Sequence, residues 1–564
     1  MTGRGKFVLT LLIFAVVGFG AYKWWDRLKP AAFSAPHASA PSAVPSGNAA
    51  ATVSDPKAIK EIEDKIIEPQ TAPGALAPAG TNVPKDNIVD LELSEYAGYS
   101  GLIVANGGLE PSENSVFFKK HGFKVRLKLS EEESWSALNS GRMAASATTV
   151  DVLAIYGRNF QVIVPAQIGY SRGADGIVVR KEIRRINDLK GQILVTSQFT
   201  EADFFLRYLA QEAGLSVTML SNVSSRPDPN KVNVVYAADA FAAGDLFLKD
   251  VQNGTNKLAG CVTWAPKTSE VVDGCGSAAH LLTTNKNLLI IADVLVVNKG
   301  FAQANPDKVT GLVNGLLEGN RMVRDNPSAY LDTIAKAFKW NQDKARAELA
   351  KVHLSNLPEN QAFFSSTMDA AGSFSGIYQS AVLAYGSELI KSPGDPDRFA
   401  DLQYLQKINT SGTFAGQQIA IAPIRSSASG ALEGDPLLSK DIRFLFEPNS
   451  SKLDLTNADN LANLDSIKRL LQVSPGSTIL LRGHVDNALV DKFRKEGGEP
   501  FVRQMALKAM QLSKDRAAEI KQMLIERLKV DPARLETVGR GWEEPAGSDA
   551  EKNRRVEVQW FTVE

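Results

Sequence analysis

From about residue 93 to residue 395 the sequence repeats one pattern, a short unbroken apolar run followed by a helical stretch. The runs are Leu102-Ile103-Val104-Ala105, Ile177-Val178-Val179, Ile193-Leu194-Val195, Val232-Asn233-Val234-Val235 and Val294-Leu295-Val296-Val297. A strand with one wet face alternates polar and apolar residues, whereas an unbroken run needs cover on both faces, which flanking helices supply. The pattern predicts an α/β region with mostly parallel sheets, giving way to helices from Pro306 to about Ile390. At 564 residues the chain has room for about three domains and their linkers.

In such sheets a ligand sits beyond the carboxyl ends of the strands, where turns and helix N-termini offer free N–H groups to anions. The candidates are Asn106 and Gly107, Thr148 and Thr149, Ser197 and Thr200, with Trp264 as a wall. Each polar turn also serves simply to cap the helix after it, and Gly107-Gly108 serves as a tight turn. Asp175 and Asp239 read as hinge or surface residues.

Near the C-terminus, residues 477–482 read as a strand that carries Asp486 at its end. Ala517, Ile520, Leu524 and Leu528 recur at helical spacing. If Ser513 caps that helix, Arg516 lies in its first turn, where a cation opposes the dipole. If one long helix runs from Met505 to Leu528, Arg516 is a mid-helix charge in solvent. The first reading brings a carboxylate and a guanidinium to one cleft.

Residues 7–22 are apolar or small apart from Thr10, with Arg4 and Lys6 before them and Lys23, Trp24 and Trp25 after. This predicts a membrane anchor, hence a single-pass inner-membrane protein with the bulk of the chain in the periplasm. A cleaved signal peptide needs a small-residue site directly after the apolar run, and Ala38-Ser39-Ala40 comes too late. A Pro-, Ala- and Ser-rich stretch follows that cannot bury enough apolar area to fold, apart from a short helix around residues 59–67. The expected organisation is anchor 1–28, linker 29–92, α/β region 93–395, linker 396–436 and C-terminal domain 437–564.

Basic and acidic residues balance at 63 each, which leaves no surplus to neutralise nucleic-acid phosphates. Cys261 and Cys275 are close enough to form a disulfide in an exported chain, or else stand as two buried thiols; neither has zinc spacing with a histidine. The five histidines are scattered, and neither a G-x-S-x-G elbow nor a P-loop is present. The expectation is a protein without catalysis, metal or cofactor.

Phe446, Asn449-Ser450, Leu453, Gly483-His484-Val485-Asp486-Asn487, Leu512-Ser513 with Arg516-Ala517, Arg534-Leu535, Gly539 and Gly541, Pro545 and Asn553-Arg554-Arg555-Val556-Glu557 follow in order. Together they resemble the peptidoglycan-binding OmpA C-terminal domain, an α+β fold. The resemblance implies that Asp486 and Arg516, with Asn487 beside them, grip the zwitterionic end of a diaminopimelate stem peptide, and that His484 is structural.

The middle region carries Ser171-Arg172-Gly173-Ala174-Asp175-Gly176-Ile177, Ile186-Asn187-Asp188-Leu189-Lys190-Gly191, Val262-Thr263-Trp264-Ala265-Pro266 and Asn298-Lys299 before Asn305-Pro306. It resembles a periplasmic solute-binding protein of the nitrate, sulfonate and taurine type, with two α/β lobes about a cleft. The two resemblances together imply a wall-tethered protein that captures a small anionic solute for an ABC transporter permease or for sensing. The alternative is a structural tether from membrane to peptidoglycan whose middle domain binds a protein or no ligand.

Overall fold

The structure is a computed structural model that describes residues 56–130, 134–365, 372–421, 436–447 and 450–562. Among the described residues no helix is long and apolar enough to cross a membrane. The longest helical run, Val490–Glu526, is kinked at Gly497 and Gly498 and studded with charges along its 37 residues. This corrects the placement as a single-pass inner-membrane protein; the expected anchor, residues 7–22, lies outside the described residues.

Three sheets make the frame. The first runs Val352–Leu354, Val162–Ser171, Ala292–Asn298, Ala145–Thr149, Ile88–Leu93, Lys124–Leu129. The second runs Ala279–Thr284, Asp175–Arg180, Gly260–Trp264, Ile193–Ser197, Val232–Ala237, Val217–Met219. The chain passes from the first to the second between Ser171 and Asp175, and returns between Thr284 and Ala292. These passages make two lobes and alter the expected topology. Strands that leave and re-enter a sheet run against their neighbours, so each sheet pairs parallel at one end and antiparallel at the other.

One expected strand is a helix. Leu102 to Ala105 lie in Ser100–Asn106, a helix whose seven residues are all buried. An apolar run covered on all sides has no periodicity to separate helix from strand. Gly101 and Gly319 let this helix meet Pro306–Asp325 backbone to backbone, for a Cβ on Gly319 would stand 1.9 Å from the Gly101 carbonyl oxygen.

Both expected linkers are partly built into the lobes. Residue 67 bridges Tyr236, and the Gln70 N–H donates to Gln198 Oε1, both in the second lobe. Farther along, Asn139 Nδ2 donates to the Ala77 carbonyl and Asn298 Nδ2 to that of Gly80, both in the first. A Pro- and Ala-rich segment has no core of its own, but it needs none where its backbone groups find partners on a folded surface. After residue 395, Phe399, Tyr404, Leu405, Ile408 and Phe414 are buried against the lobes.

The third sheet runs Leu438–Ile442, Val556–Phe561, Thr478–Gly483, Leu535–Gly539, with helices Ala458–Val473 and Val490–Glu526 packed on it. It abuts the second lobe, where the Ile186 N–H donates to the Leu437 carbonyl and Asn187 pairs with the Ser439 backbone in both directions. Two glycines set how closely the long helix approaches. A Cβ on Gly483 would lie 2.0 Å from the Ser513 carbonyl oxygen, and one on Gly539 2.5 Å from that of Met510. Gly483→Ala must push helix and strand apart, and a loss of about 1–3 kcal/mol is expected in chemical denaturation followed at this domain.

Candidate functional site

The strands of both lobes point their ends at one cleft, with about 380 Å³ of empty space, lined by Ser94, Tyr96, Tyr99, Thr148, Thr149, Ser171, Asp175, Glu201, Trp264, Ile291 and Asp293. Asp175 stands at the passage between the lobes, where its carboxylate accepts from Ser171 Oγ and, at 3.1 Å, from Asn285 Nδ2. Asp293 accepts from Tyr99 Oη at 3.1 Å through one oxygen, while its other oxygen is buried without a partner. Burial, and then the neighbouring Asp175, push the Asp293 carboxyl well above the usual range. Burial likewise lifts Asp175 to about 6 and nearby Asp151 to about 7.

Three of the expected residues, Thr148, Thr149 and Trp264, line this cleft. Asn106 and Gly107 do not: they end a helix rather than begin one. Asn106 Nδ2 donates to the carbonyls of Gly108 and Glu110, and Gly107 caps the helix at φ 77°. Ser197 and Thr200 bond each other at 3.0 Å and are not part of the lining, and the Thr200 carbonyl accepts from Tyr385 Oη at 3.1 Å. Asp239 caps the helix Ala240–Gln252.

Sequence reasoning missed Tyr96, Tyr99, Glu201 and Asp293. The two tyrosines follow Ile88–Leu93, the true first strand, which the linker boundary had swallowed. The lining also runs against an anionic solute, for it offers three carboxylates and, among the described residues, no lysine or arginine.

Cys261 and Cys275 are buried and free, so the expected disulfide is not formed. Cys261 is fully buried in the strand Gly260–Trp264, and burial pushes its thiol well above the ordinary range.

The second site is a pocket of about 600 Å³ in the C-terminal domain, lined by Arg443, Phe444, Leu445, Phe446, Gly483, His484, Arg516, Arg554, Arg555 and Val556. Ser513 does not start a helix. Buried mid-helix, it donates to the Met510 carbonyl and accepts from the Gly541 N–H at 2.9 Å. Arg516 is therefore mid-helix, yet it is not a solvated charge: its guanidinium lies 4.8 Å over the Phe446 ring and its Nε is buried without a partner. Burial and the Arg554 charge lower its pKa, and Asp486 opposes them.

Asp486 accepts from the Ala488 N–H and stands 3.7 Å from Arg554 Nε. Asn487 is exposed and stays out of the lining; its carbonyl accepts from the Val490 N–H. Arg554 is a lining cation as well. Beneath the pocket, Arg482 reaches Glu557 at 2.9 Å and Glu544 at 2.5 Å. With His484 these two acids form a group with ligand spacing for a metal ion, and the guanidinium already occupies both carboxylates.

A family model described as the OmpA family matches residues 445–559, and one described as NMT1/THI5 like matches residues 113–330. Solved structures with a similar fold include the periplasmic aliphatic sulphonate binding protein SsuA from Escherichia coli, at 15% identity, covering 56% of this chain and 97% of that one with a TM-score of 0.42. Another is the alkanesulfonate-binding protein SsuA from Xanthomonas axonopodis pv. citri bound to MOPS, at 13%, 57% and 100% with 0.40. A third, at 14%, 57% and 99% with 0.38, is the desulfurization enzyme DSZB. No curated protein matches the chain. The class is a two-lobed α/β fold carrying a second, α+β domain. This chain joins an NMT1/THI5-like domain to a C-terminal OmpA domain.

Burial works to raise the Glu557 carboxyl, but His484, Gln559 and Arg482 bring it down to about 2. A depressed carboxylate stabilises the fold above its unfolded pKa and ceases to do so as pH falls through the folded value. The C-terminal domain should therefore lose stability from about pH 4.5 towards 2, and Glu557→Gln should flatten that part of an acid-unfolding curve.

Proposed function

We propose that the chain captures a small solute between its lobes while the C-terminal pocket holds peptidoglycan by the zwitterionic end of a diaminopimelate stem peptide. The observation that carries the wall-binding half is Arg516, stacked on Phe446 with a buried, unpartnered Nε in an open pocket. A planar guanidinium pairs with a carboxylate, and a carboxylate with an ammonium, through short charge-assisted bonds. Arg516 takes the ligand carboxylate and Asp486 the ammonium, which displaces the long 3.7 Å contact from Arg554.

The solute half is supported by the buried Thr148 Oγ1 and Trp264 Nε1, which line the cleft and have no hydrogen-bond partner. Polar groups buried this way are costly unless something pairs with them, and a captured solute does so. The solute is passed to an ABC transporter permease or its presence is sensed.

Co-sedimentation of the full chain with purified peptidoglycan tests the first half. Asp486→Ala and Arg516→Ala should each weaken retention at least about tenfold, or about 1.4 kcal/mol. Unchanged retention of both variants would remove the assignment.

A further inference from the structure

Most buried acids in this chain meet a basic side chain. Asp203 meets Arg207 at 2.8 Å, Asp250 meets Arg180, Glu318 meets Lys120 at 3.0 Å, Glu348 meets Lys351 at 2.9 Å and Glu359 meets His353 at 3.0 Å. Asp175 and Asp293 are as deeply buried, at 3% and 2% exposure, and meet no basic side chain among the described residues. A buried carboxylate without a cation is costly. Among the described residues Asp151 and Glu92 are buried without a base as well, but Asp175 and Asp293 face an open space.

The walls of that space carry independent marks of a missing ligand. Asp293 Oδ2, Thr148 Oγ1 and Trp264 Nε1 are buried and have no hydrogen-bond partner. Tyr96 and Tyr99 meet edge to face, their ring centroids 5.2 Å apart, and Trp264 packs at 5.4 Å on Phe241. Aromatic faces attract organic cations, most strongly where water is excluded.

We infer that the solute of this cleft is a small organic cation, an amine or quaternary ammonium, held between Asp175, Asp293 and Glu201 against the rings of Tyr96, Tyr99 and Trp264. The inference rests on the solute-binding reading above and deepens it. A bare metal ion fits less well. Among the described residues the one group of three acid, histidine or cysteine side chains with ligand atoms within 4.8 Å of one another is His484, Glu544 and Glu557, so the three cleft acids do not converge on one ion. Acids and aromatic rings around one space suit an organic ammonium.

The charge state supplies the test. Asp293 is faced by Asp175 at the passage between lobes, by Asp151 from the helix Val150–Tyr156, by Glu201 from the helix Glu201–Glu212, and by Tyr96 and Tyr99. The one basic side chain named on the Glu201–Glu212 helix, Arg207, is taken up by Asp203 and Tyr236. A cation favours the ionised acids and so releases protons on binding. Its affinity must rise with pH, whereas an anion's must fall.

Titration calorimetry on the full chain, with choline, ethanolamine and putrescine against ethanesulfonate, acetate and glucose, decides the matter. At least one ammonium should bind, more tightly at about pH 8 than at about pH 5. Asp293→Asn should weaken it at least about tenfold and flatten the pH dependence. Glu201→Gln, at the partly exposed rim, provides a second reading should Asp293→Asn fail to fold. Binding of ethanesulfonate, acetate or glucose but of no ammonium would overturn the cation and leave solute capture standing. Ammonium binding that neither variant weakens would overturn the site. No heat from any probe would count against both.

Discussion

Asn285 accepts from the Gly173 and Asp175 N–H groups at 2.9 and 3.2 Å and donates to the Asp175 carboxylate at 3.1 Å. One side chain thus ties together the two passages of the chain between the lobes. Arg172 Nε, donating at 2.8 Å to the Lys286 carbonyl, adds a second tie alongside. Two lobes joined at these passages leave a gap between their strand ends. Asp175 belongs to both roles: it orders the hinge and forms part of the cleft wall. A change at Asn285 therefore bears on the cleft although Asn285 is not in its lining.

Much of this frame was legible because buried strands between helices leave unbroken apolar runs, as at Ile193–Ser197 and Ala292–Asn298. The same signal misled at Leu102, since a helix buried on every side leaves the same kind of run. Composition misled in residues 56–92, where a segment poor in apolar residues lies across both lobes and borrows its hydrogen bonds from them. The antiparallel half of each sheet depends on where the chain changes lobe, which no local pattern records.

The two sites were legible to different degrees for a physical reason. Asp486 and Arg516 sit in ordered motifs whose glycines and serine are needed for the close contact of helix and strand, so packing by itself leaves a pattern there. The cleft acids leave none. Asp293 is a single polar residue inside an apolar strand, and Glu201 in the first turn of a helix looks the same as an acid placed there for the dipole. Small polar turns were visible, but of those singled out only Thr148 and Thr149 line the cleft. What marks the cleft is the absence of a partner in three dimensions, a property no stretch of sequence states.

The two sites also meet through the backbone. The Leu289 N–H donates at 2.8 Å to the carbonyl of Val473, the last residue of the C-terminal domain's helix Ala458–Val473. That helix end is held in turn by Arg534, which donates to the carbonyls of Leu471, Ser474 and Ser477. Leu289 lies in the return passage between the lobes, two residues before the cleft residue Ile291. With Ile186 and Asn187 bonded to the strand Leu438–Ile442 and its neighbour Leu437, the C-terminal domain is fixed to the second lobe and to the hinge at once. Opening the cleft by moving the second lobe would carry the C-terminal domain along or break these bonds.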